Sequence, residues 1–594
     1  MSKFQKLFKK KDKRNNTQVK KLRTVFRIWN YLGYQKTSLI CVIFLVSLTT
    51  LLSLLSPYYM GIIVDKYIMS KDLNGTVQMC WLLILIFGIT TFLTWLQTFI
   101  MVNIALKTIR KIRQDLFRKI HQLSLRFFDM HSNGDLMSRI TNDIDNLEQA
   151  LTQSVVQIIS SVLIVVGVTI TMFSIDWILA IITVIPVPIM FFITKRLVTY
   201  SSTNFRKRQK DLGDMNGFIE ESIAGADVIT LYGKQKEILN NFNKINERFR
   251  ISATKSDTFS AIIYPVMNFI NNLGIGIVIG VGAIMVLSGI TTVGIIVAFI
   301  NYSRQFSRPL RQLATLMNTI QAAAAGGERI FEIMDETPEI QNKTDAIITR
   351  KLQGNVTFDH VTFGYKNEKE ILKDINLQAT SGQTIALVGP TGSGKTTIIN
   401  LLTRFYDIQK GHIRIDGRNI KDYDINSLRS KIGVVLQDTY LFAGTIMENI
   451  RYGRLNASNE EVVAAAQAAS AHDFIKHLSD QYETKIASEG TTLSQGQKQL
   501  IAIARAILVN ADILILDEAT SNIDTRTELQ IQAGLNNLMR GRTSFVIAHR
   551  LKTIEKADQI LVIKNGRIFE RGDHISLMEK KGLYFQLYTK QFGI

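Results

Sequence analysis

From Thr37 to Tyr59 the chain reads TSLICVIFLVSLTTLLSLLSPYY, without a single charged side chain. Wound as a helix at about 1.5 Å per residue, this run is about 35 Å long, enough to cross a hydrocarbon core of about 30 Å. It is too long for the apolar core of an export signal, about 7–15 residues. Uncharged runs recur at 77–103, then at 155–175 and 177–194, a pair split only by Asp176. Two more, 260–287 and 291–303, flank a turn at Ser288-Gly289-Ile290, and the last continues past Arg304 and Arg308 towards Met317. The pattern predicts six membrane spans, with a kink in the fourth at Pro186 and Pro188.

The connections orient these spans. The joins after the first, third and fifth are short and poor in Lys and Arg, whereas the leader and the segments 104–154 and 196–257 are basic, with Lys107, Arg110 and Arg113 in one and Arg206, Lys207 and Arg208 in the other. Positive residues stay inside, so both termini and both long loops are expected in the cytoplasm. Seventy Lys+Arg against fifty Asp+Glu give a net charge of +20, which membrane topology explains without a nucleic-acid partner. Cys41 and Cys80, the two cysteines, lie in apolar runs and read as small hydrophobes, which excludes a disulfide-stapled secreted fold. Both long loops carry apolar residues at helical spacing: Ile109, Ile112, Leu116, Ile120 in the first, Ile219, Ile223, Val228, Leu231, Ile238, Phe242 in the second. They predict helices projecting about 25 Å beyond the bilayer.

After Ala322-Ala323-Ala324-Ala325-Gly326-Gly327 the composition changes to short apolar runs alternating with turns and amphipathic helices, an α/β pattern. The expected division is a basic segment 1–36, a transmembrane domain 37–325, a linker 326–353 and an α/β domain 354–594. That domain contains a strand, Ile385-Ala386-Leu387-Val388, followed by Gly389-Pro390-Thr391-Gly392-Ser393-Gly394-Lys395-Thr396-Thr397 and a helical run. Glycines in this spacing turn backbone N–H groups inward around phosphate oxygens, and the helix N-terminus adds positive potential. Lys395 is expected on the terminal phosphates of a nucleotide and the Thr396 hydroxyl on Mg²⁺. Downstream, Ile513-Leu514-Ile515-Leu516-Asp517-Glu518 is a buried strand ending in two acids. Asp517 suits a contact to Mg²⁺, direct or through water, and Glu518 can polarise an attacking water.

Between these motifs stands Leu493-Ser494-Gln495-Gly496-Gln497, which resembles the LSGGQ signature of ATP-binding cassette (ABC) transporters. Other landmarks of that family follow its order. Tyr365 resembles the aromatic that stacks on adenine, Gln437 the glutamine that senses Mg²⁺ and the membrane domain, Ser521-Asn522-Ile523-Asp524 the loop that ends in Asp524, and His549 the switch histidine on the γ-phosphate. In the first cytoplasmic loop, Phe127-Phe128-Asp129 and the run from Gly134 to Asp143 resemble the exporter branch. The resemblance covers about residues 25–590. It implies an α-helical transmembrane bundle of six spans with long cytoplasmic extensions, fused to an α/β P-loop cassette, with ATP and Mg²⁺ as ligands. Short helices near 130–140 and 213–225 are implied to couple cassette and spans.

One membrane domain and one cassette imply a half-transporter, working with a second copy or a second subunit. Each ATP would lie between the phosphate loop of one chain and the signature helix of the other, so that Ser494, Gln495, Gly496 and Gln497 of this chain contact the partner's ATP, and closure and reopening of the cassettes would drive alternating access. Gln495 stands where the signature has its first glycine, which points to a heterodimer whose partner bears LSGGQ and a degenerate catalytic acid, as in the acid-bearing subunits of bacterial heterodimeric multidrug exporters. The expected activity is ATP-driven export of amphipathic compounds from a bacterial cell membrane; lipid or peptide export by a homodimer, and an ATP-gated regulator or channel, are the alternatives. Asn268, Asn271, Asn272, Asn301, Arg304 and Gln305 interrupt apolar helices, either lining a cargo cavity or bonding helix to helix.

Overall fold

The uncharged runs are helical in the structure, the fourth of them divided between two helices; it is a computed structural model that describes residues 23–337, 340–365, 370–437, 439–486, 493–518, 524–548 and 555–592. The chain divides into two compact units: one takes the chain up to His121 with Ser132–Glu336, the other takes Gln122–His131 with the chain from Thr337 onward.

The first unit is helical. Its long elements are α1 (Lys36–Ile62), α2 (Leu73–Ile120), α3 (Val155–Ile175), α4 (Trp177–Val184), α5 (Pro186–Ala224), α6 (Gln235–Leu287) and α7 (Val293–Asp335). Asp176 separates α3 from α4 because its carboxylate accepts the N–H groups of Ile178 and Leu179, capping a new helix. Gly289, at φ +71°, ends α6 in the predicted turn. The spacing of Ile109, Ile112, Leu116 and Ile120 matches their burial along α2.

Among the described residues four helices have the length and hydropathy of a membrane span: Lys36–Ile68, Leu73–Ile120, Asn133–Ile175 and Pro265–Leu287. The expected fourth and sixth spans differ. In the fourth, the kink is a break at Ile185, between α4 and α5, where Pro186 lacks an N–H and starts a new helix. In the sixth, Asn301, Arg304, Gln305 and Arg308 dilute the apolar character of α7.

The start of α7 is capped from another element. Beyond α1 a π-helical turn, Ile63–Ile68, carries Asp65, whose carboxylate accepts the Gly294 N–H at 2.7 Å and the Thr292 hydroxyl at 2.5 Å. Gly61 and Gly294 let the two backbones meet: a Cβ on Gly294 would stand 2.1 Å from the Gly61 carbonyl oxygen. Deeper in the unit, Tyr302 donates to the Leu54 carbonyl at 2.8 Å, Ser307 to Asn271 at 2.6 Å and Gln305 to Ser53 Oγ at 3.2 Å. Asn271 and Gln305 therefore bond helix to helix, while Asn301 folds onto its own Val297 carbonyl.

Two boundaries move. Gly326 and Gly327, expected to open the linker, lie inside α7, which runs to Asp335. They are sites of close approach: a Cβ on Gly326 would meet the Asp143 carbonyl oxygen at 3.1 Å, and one on Gly327 the Thr24 methyl at 2.9 Å. The later part of the expected linker belongs to the second unit. Ile347 exchanges backbone bonds with Asp422 and Asp424, and Leu352 is buried in that unit's core. The short helix of the second long loop is Ala226–Leu231, set off by Gly225, and not 213–225, which continues α5. In the first loop the short helices are Leu125–Met130 and Asn133–Ser138.

The second unit is α/β. Its strands are β1 (Val356–Phe363), β2 (Leu372–Ala379), β3 (Thr384–Val388), β4 (Lys410–Ile415), β5 (Arg418–Asn419), β6 (Ile432–Val435), β7 (Gly444–Thr445), β8 (Lys485–Ile486), β9 (Ile513–Glu518), β10 (Thr543–Ala548), β11 (Gln559–Lys564) and β12 (Arg567–Gly572). A four-stranded antiparallel sheet runs β2-β1-β4-β5, and a six-stranded sheet runs β12-β11-β3-β10-β9-β6. In the second, β11, β3, β10, β9 and β6 are parallel, with β12 antiparallel at the edge. Central parallel strands are covered on both faces and so read as continuous apolar runs; Ile513, Leu514, Ile515 and Leu516 are all at most 1% exposed. Within this unit the Tyr406 hydroxyl donates to Asp129, from the segment Gln122–His131.

Candidate nucleotide site

Strand order and register bring the expected motifs to one edge of the six-stranded sheet. The glycine loop leaves the carboxyl end of β3. Next to it, β10 pairs Ile547 with Leu387, and His549 follows its last residue in the chain. Then comes β9, with Asp517 opposite Ile547 and Glu518 opposite Ala548. Last is β6, whose Val435 pairs with Leu516, two positions before Gln437. Ligands of open parallel sheets gather at the carboxyl ends of the strands. The side chain of Glu518 and the whole of His549 lie outside the described residues.

The loop is shaped for close approach. Gly389, Gly392 and Gly394 have φ of +156°, +77° and +108°. A Cβ on Gly389 would lie 2.2 Å from the Ile563 carbonyl oxygen, and one on Gly394 would lie 2.6 Å from the Leu372 side chain. Gly394 caps α8 (Lys395–Leu402), whose N-terminus faces the loop. Lys395 is 9% exposed and its ammonium donates to the carbonyls of Gly389 at 2.8 Å and Pro390 at 3.1 Å. Burial pushes the Lys395 ammonium below its usual value, and the negative charge of Asp517 opposes that shift. Pro390, Thr391 and Thr396 are exposed at the mouth, whereas Ser393 and Thr397 are buried. The Ser393 hydroxyl is buried and has no hydrogen-bond partner among the described residues. An unsatisfied hydroxyl, a buried ammonium and a glycine cradle fit a phosphate chain. The exposed Thr396 hydroxyl and the half-buried Asp517 carboxylate are oxygen donors of the kind Mg²⁺ takes.

Tyr365 follows β1. Its ring makes edge contacts with Phe363 and Tyr406, at centroid distances of 5.1 and 4.9 Å, and its hydroxyl bonds Thr397 and Asn400 at 3.2 Å each. The expected adenine-stacking residue is thus fastened to the helix that follows the glycine loop.

The signature-like segment opens α9 (Gln495–Val509). Ser494 is its N-cap: Ser494 Oγ accepts the Gln497 N–H at 3.3 Å, and Gln497 Oε1 accepts the Ser494 N–H at 3.0 Å. Gly496 is buried and Gln495 is exposed at the first helical position, outside the positive-φ residues. Backbone conformation therefore does not require glycine at 495. Asp524 caps α10 (Thr525–Met539) by accepting the Thr527 N–H at 3.0 Å, and that bond holds its carboxyl below the usual range.

Arg505 escaped the sequence reading. It projects from α9 and donates to the Asn449 carbonyl at 2.9 Å, the Asn449 side chain at 3.2 Å and the Tyr440 carbonyl at 3.3 Å. It fastens the signature helix to the loop that follows Gln437. Its partners lie 56 and 65 residues away in the chain, and no local pattern announces them.

Comparison with known proteins agrees with this geometry. Residues 39–310 match the ABC transporter transmembrane region, and residues 372–521 match the ABC transporter family model. An uncharacterised ABC transporter ATP-binding protein of Bacillus subtilis, YfiC, is 45% identical over 96% of this chain and 94% of its own length. A fatty acid ABC transporter ATP-binding/permease protein of Mycobacterium bovis is 43% identical over 83% of this chain and 78% of its own. The solved structure of a bacterial Atm1-family ABC exporter with ATP bound superposes with a TM-score of 0.78 at 30% identity, covering 94% of this chain and 98% of that one. The chain belongs to the ABC transporter family: it is an exporter-type protein in which a helical transmembrane region is fused to an ATP-binding cassette that couples ATP hydrolysis to transport.

Proposed function

We propose that the chain exports amphiphiles with an acyl body and an anionic head, and that the polar stripe of α7 receives the head. The observation behind this reading is Arg304 and Arg308. Both are exposed, neither makes an ion pair among the described residues, and they follow the start of α7 by about 17 and 23 Å along the helix, within a hydrocarbon depth of about 30 Å. The opposite face of α7 is packed, with Phe299, Tyr302 and Phe306 all buried. An unpaired guanidinium facing lipid at that depth is costly, so it faces a watered pathway. Asn301 and Gln312 extend the stripe at helical spacing. The relative named as a fatty acid transporter supports this narrowing of the broader multidrug expectation. The test is ATPase stimulation by oleate in proteoliposomes that hold the chain assembled into its active transporter. Arg304→Gln with Arg308→Gln should raise the half-stimulating concentration about tenfold and leave stimulation by an uncharged amphiphile unchanged. Equal loss for both ligands would remove the anionic head from the reading.

For the nucleotide, Lys395 and the backbone N–H groups of the loop 389–397, Pro390 excepted, hold the phosphates, and Tyr365 borders the base. Thr396, Gln437 and Asp517 would hold Mg²⁺, which would neutralise phosphate charge when bound. Glu518 orients and deprotonates the attacking water, and His549 contacts the γ-phosphate. This chain in turn offers Ser494, Gln495, Gly496, Gln497 and Asp524 to the ATP held on its partner's phosphate loop. Gln495 puts an exposed side chain where the signature has glycine, which supports a heterodimer in which one composite site is complete. The membrane is the bacterial plasma membrane, with both termini cytoplasmic, a reading supported by the basic segments.

A further inference from the structure

A second cavity of the cassette lies at the other edge of the same sheet. Its volume is about 960 Å³. It is built from the segment 347–353, the turn before β3, the β4–β5 hairpin and the turns that lead into β9 and β10. These are the amino ends of the parallel strands, and β3 alone, five residues, separates this edge from the glycine loop by about 17 Å. The cavity is therefore not the nucleotide site.

Its lining is strongly cationic. Arg350, Lys351, Arg418, Arg540 and Arg542 face Asp416 and Asp512, five positive side chains against two negative. Both carboxylates are already engaged by backbone: Asp416 accepts the N–H groups of Gln353 and Asn355 at 2.8 and 2.9 Å, and Asp512 accepts that of Leu352 at 2.9 Å. Arg542 is held by the Leu538 carbonyl and the Asn510 side chain, both neutral. Arg350, Lys351, Arg418 and Arg540 are exposed and make no ion pair among the described residues. Four unneutralised cations from separate elements, gathered on a concave wall, repel one another and focus positive potential into the cavity. Guanidinium groups are matched to phosphate oxygens by their forked donors.

We propose that this cavity binds a compact, multiply charged anion of the phosphate type, distinct from the nucleotide at the glycine loop. Occupancy neutralises the mutual repulsion of these side chains and fastens 347–353, the stretch that follows α7 in the chain, to the turns before β9 and β10. The cassette thereby gains a ligand-sensitive joint.

The test is hydrogen exchange of the full-length chain in lipid nanodiscs, with inorganic pyrophosphate as the probe. Pyrophosphate should slow exchange at 347–353 and 510–512 in addition to any protection at 389–397. Arg418→Gln with Arg540→Gln should shift half-protection at 347–353 to about tenfold higher pyrophosphate and leave the 389–397 response unchanged. Both side chains are exposed, and an unaltered melting curve verifies the fold; if that pair fails to fold, Arg350→Gln with Lys351→Gln should give the same selective loss. Absence of protection at 347–353 in the unmodified chain, or protection that survives neutralisation, would overturn the proposal.

Discussion

Lys395 is pulled two ways: burial disfavours its charge and Asp517 favours it, while two loop carbonyls accept hydrogen bonds from its ammonium. A cation held like that is poised for phosphate, so Lys395→Ala should weaken ATP binding by about tenfold or more, measured with a fluorescent nucleotide. Glu518 makes the complementary prediction. Glu518→Gln keeps the size and removes the proposed base, so in the transporter assembled with its partner steady hydrolysis should fall about a hundredfold or more while ATP still binds. At this scale the glycine loop and the acid-ended strand were legible because their chemistry is local: the loop's φ angles demand glycine, and a central parallel strand demands apolar residues up to its end. Arg505 was not legible, because its role depends on a loop that only the folded cassette brings near. Tyr365 was expected to stack on adenine, and the sequence could not direct its hydroxyl to Thr397 and Asn400.

Elements were read well where periodicity alone decides and poorly where close packing does. The uncharged runs became helices, and Asp176 divided two of them as an N-cap. Gly326-Gly327 looked like punctuation and is a place where α7 passes close to Asp143 and Thr24. The same logic at the other end of α7 gives a sharp test. Helix propensity alone would make Gly294→Ala stabilising by about 1 kcal/mol. A methyl group 2.1 Å from the Gly61 carbonyl reverses the sign, and the substitution should instead destabilise by about 1–3 kcal/mol, read as a lower unfolding temperature in lipid. Arg505→Leu tests the tie between α9 and the loop after Gln437. Leaving Asn449 and Tyr440 acceptors unpaired should cost about 2 kcal/mol of cassette stability without changing ATP affinity.

For the whole molecule, the order of membrane region and cassette was plain from the change in composition, but the border was not, since 347–353 packs as part of the cassette and α7 runs ten residues past the expected end. The number of different chains in the working transporter turns on Gln495. Purified alone in lipid, with Glu518→Gln as the blank, the chain is expected to hydrolyse ATP at the blank rate and to recover activity with an LSGGQ-bearing partner; robust activity alone would make it a homodimer. Another feature bears on how such a molecule is made. Gln122–His131 folds with a unit whose remaining chain begins at Thr337, about two hundred residues later. At a synthesis rate of about 5–20 residues per second, that stretch leaves the ribosome about ten to forty seconds before the first residue of the rest of its unit is made. Until then Phe127, buried in the finished protein, waits without the rest of its unit. The nascent loop is therefore a natural client for a chaperone, and a pause in translation between these two points would lengthen the exposure.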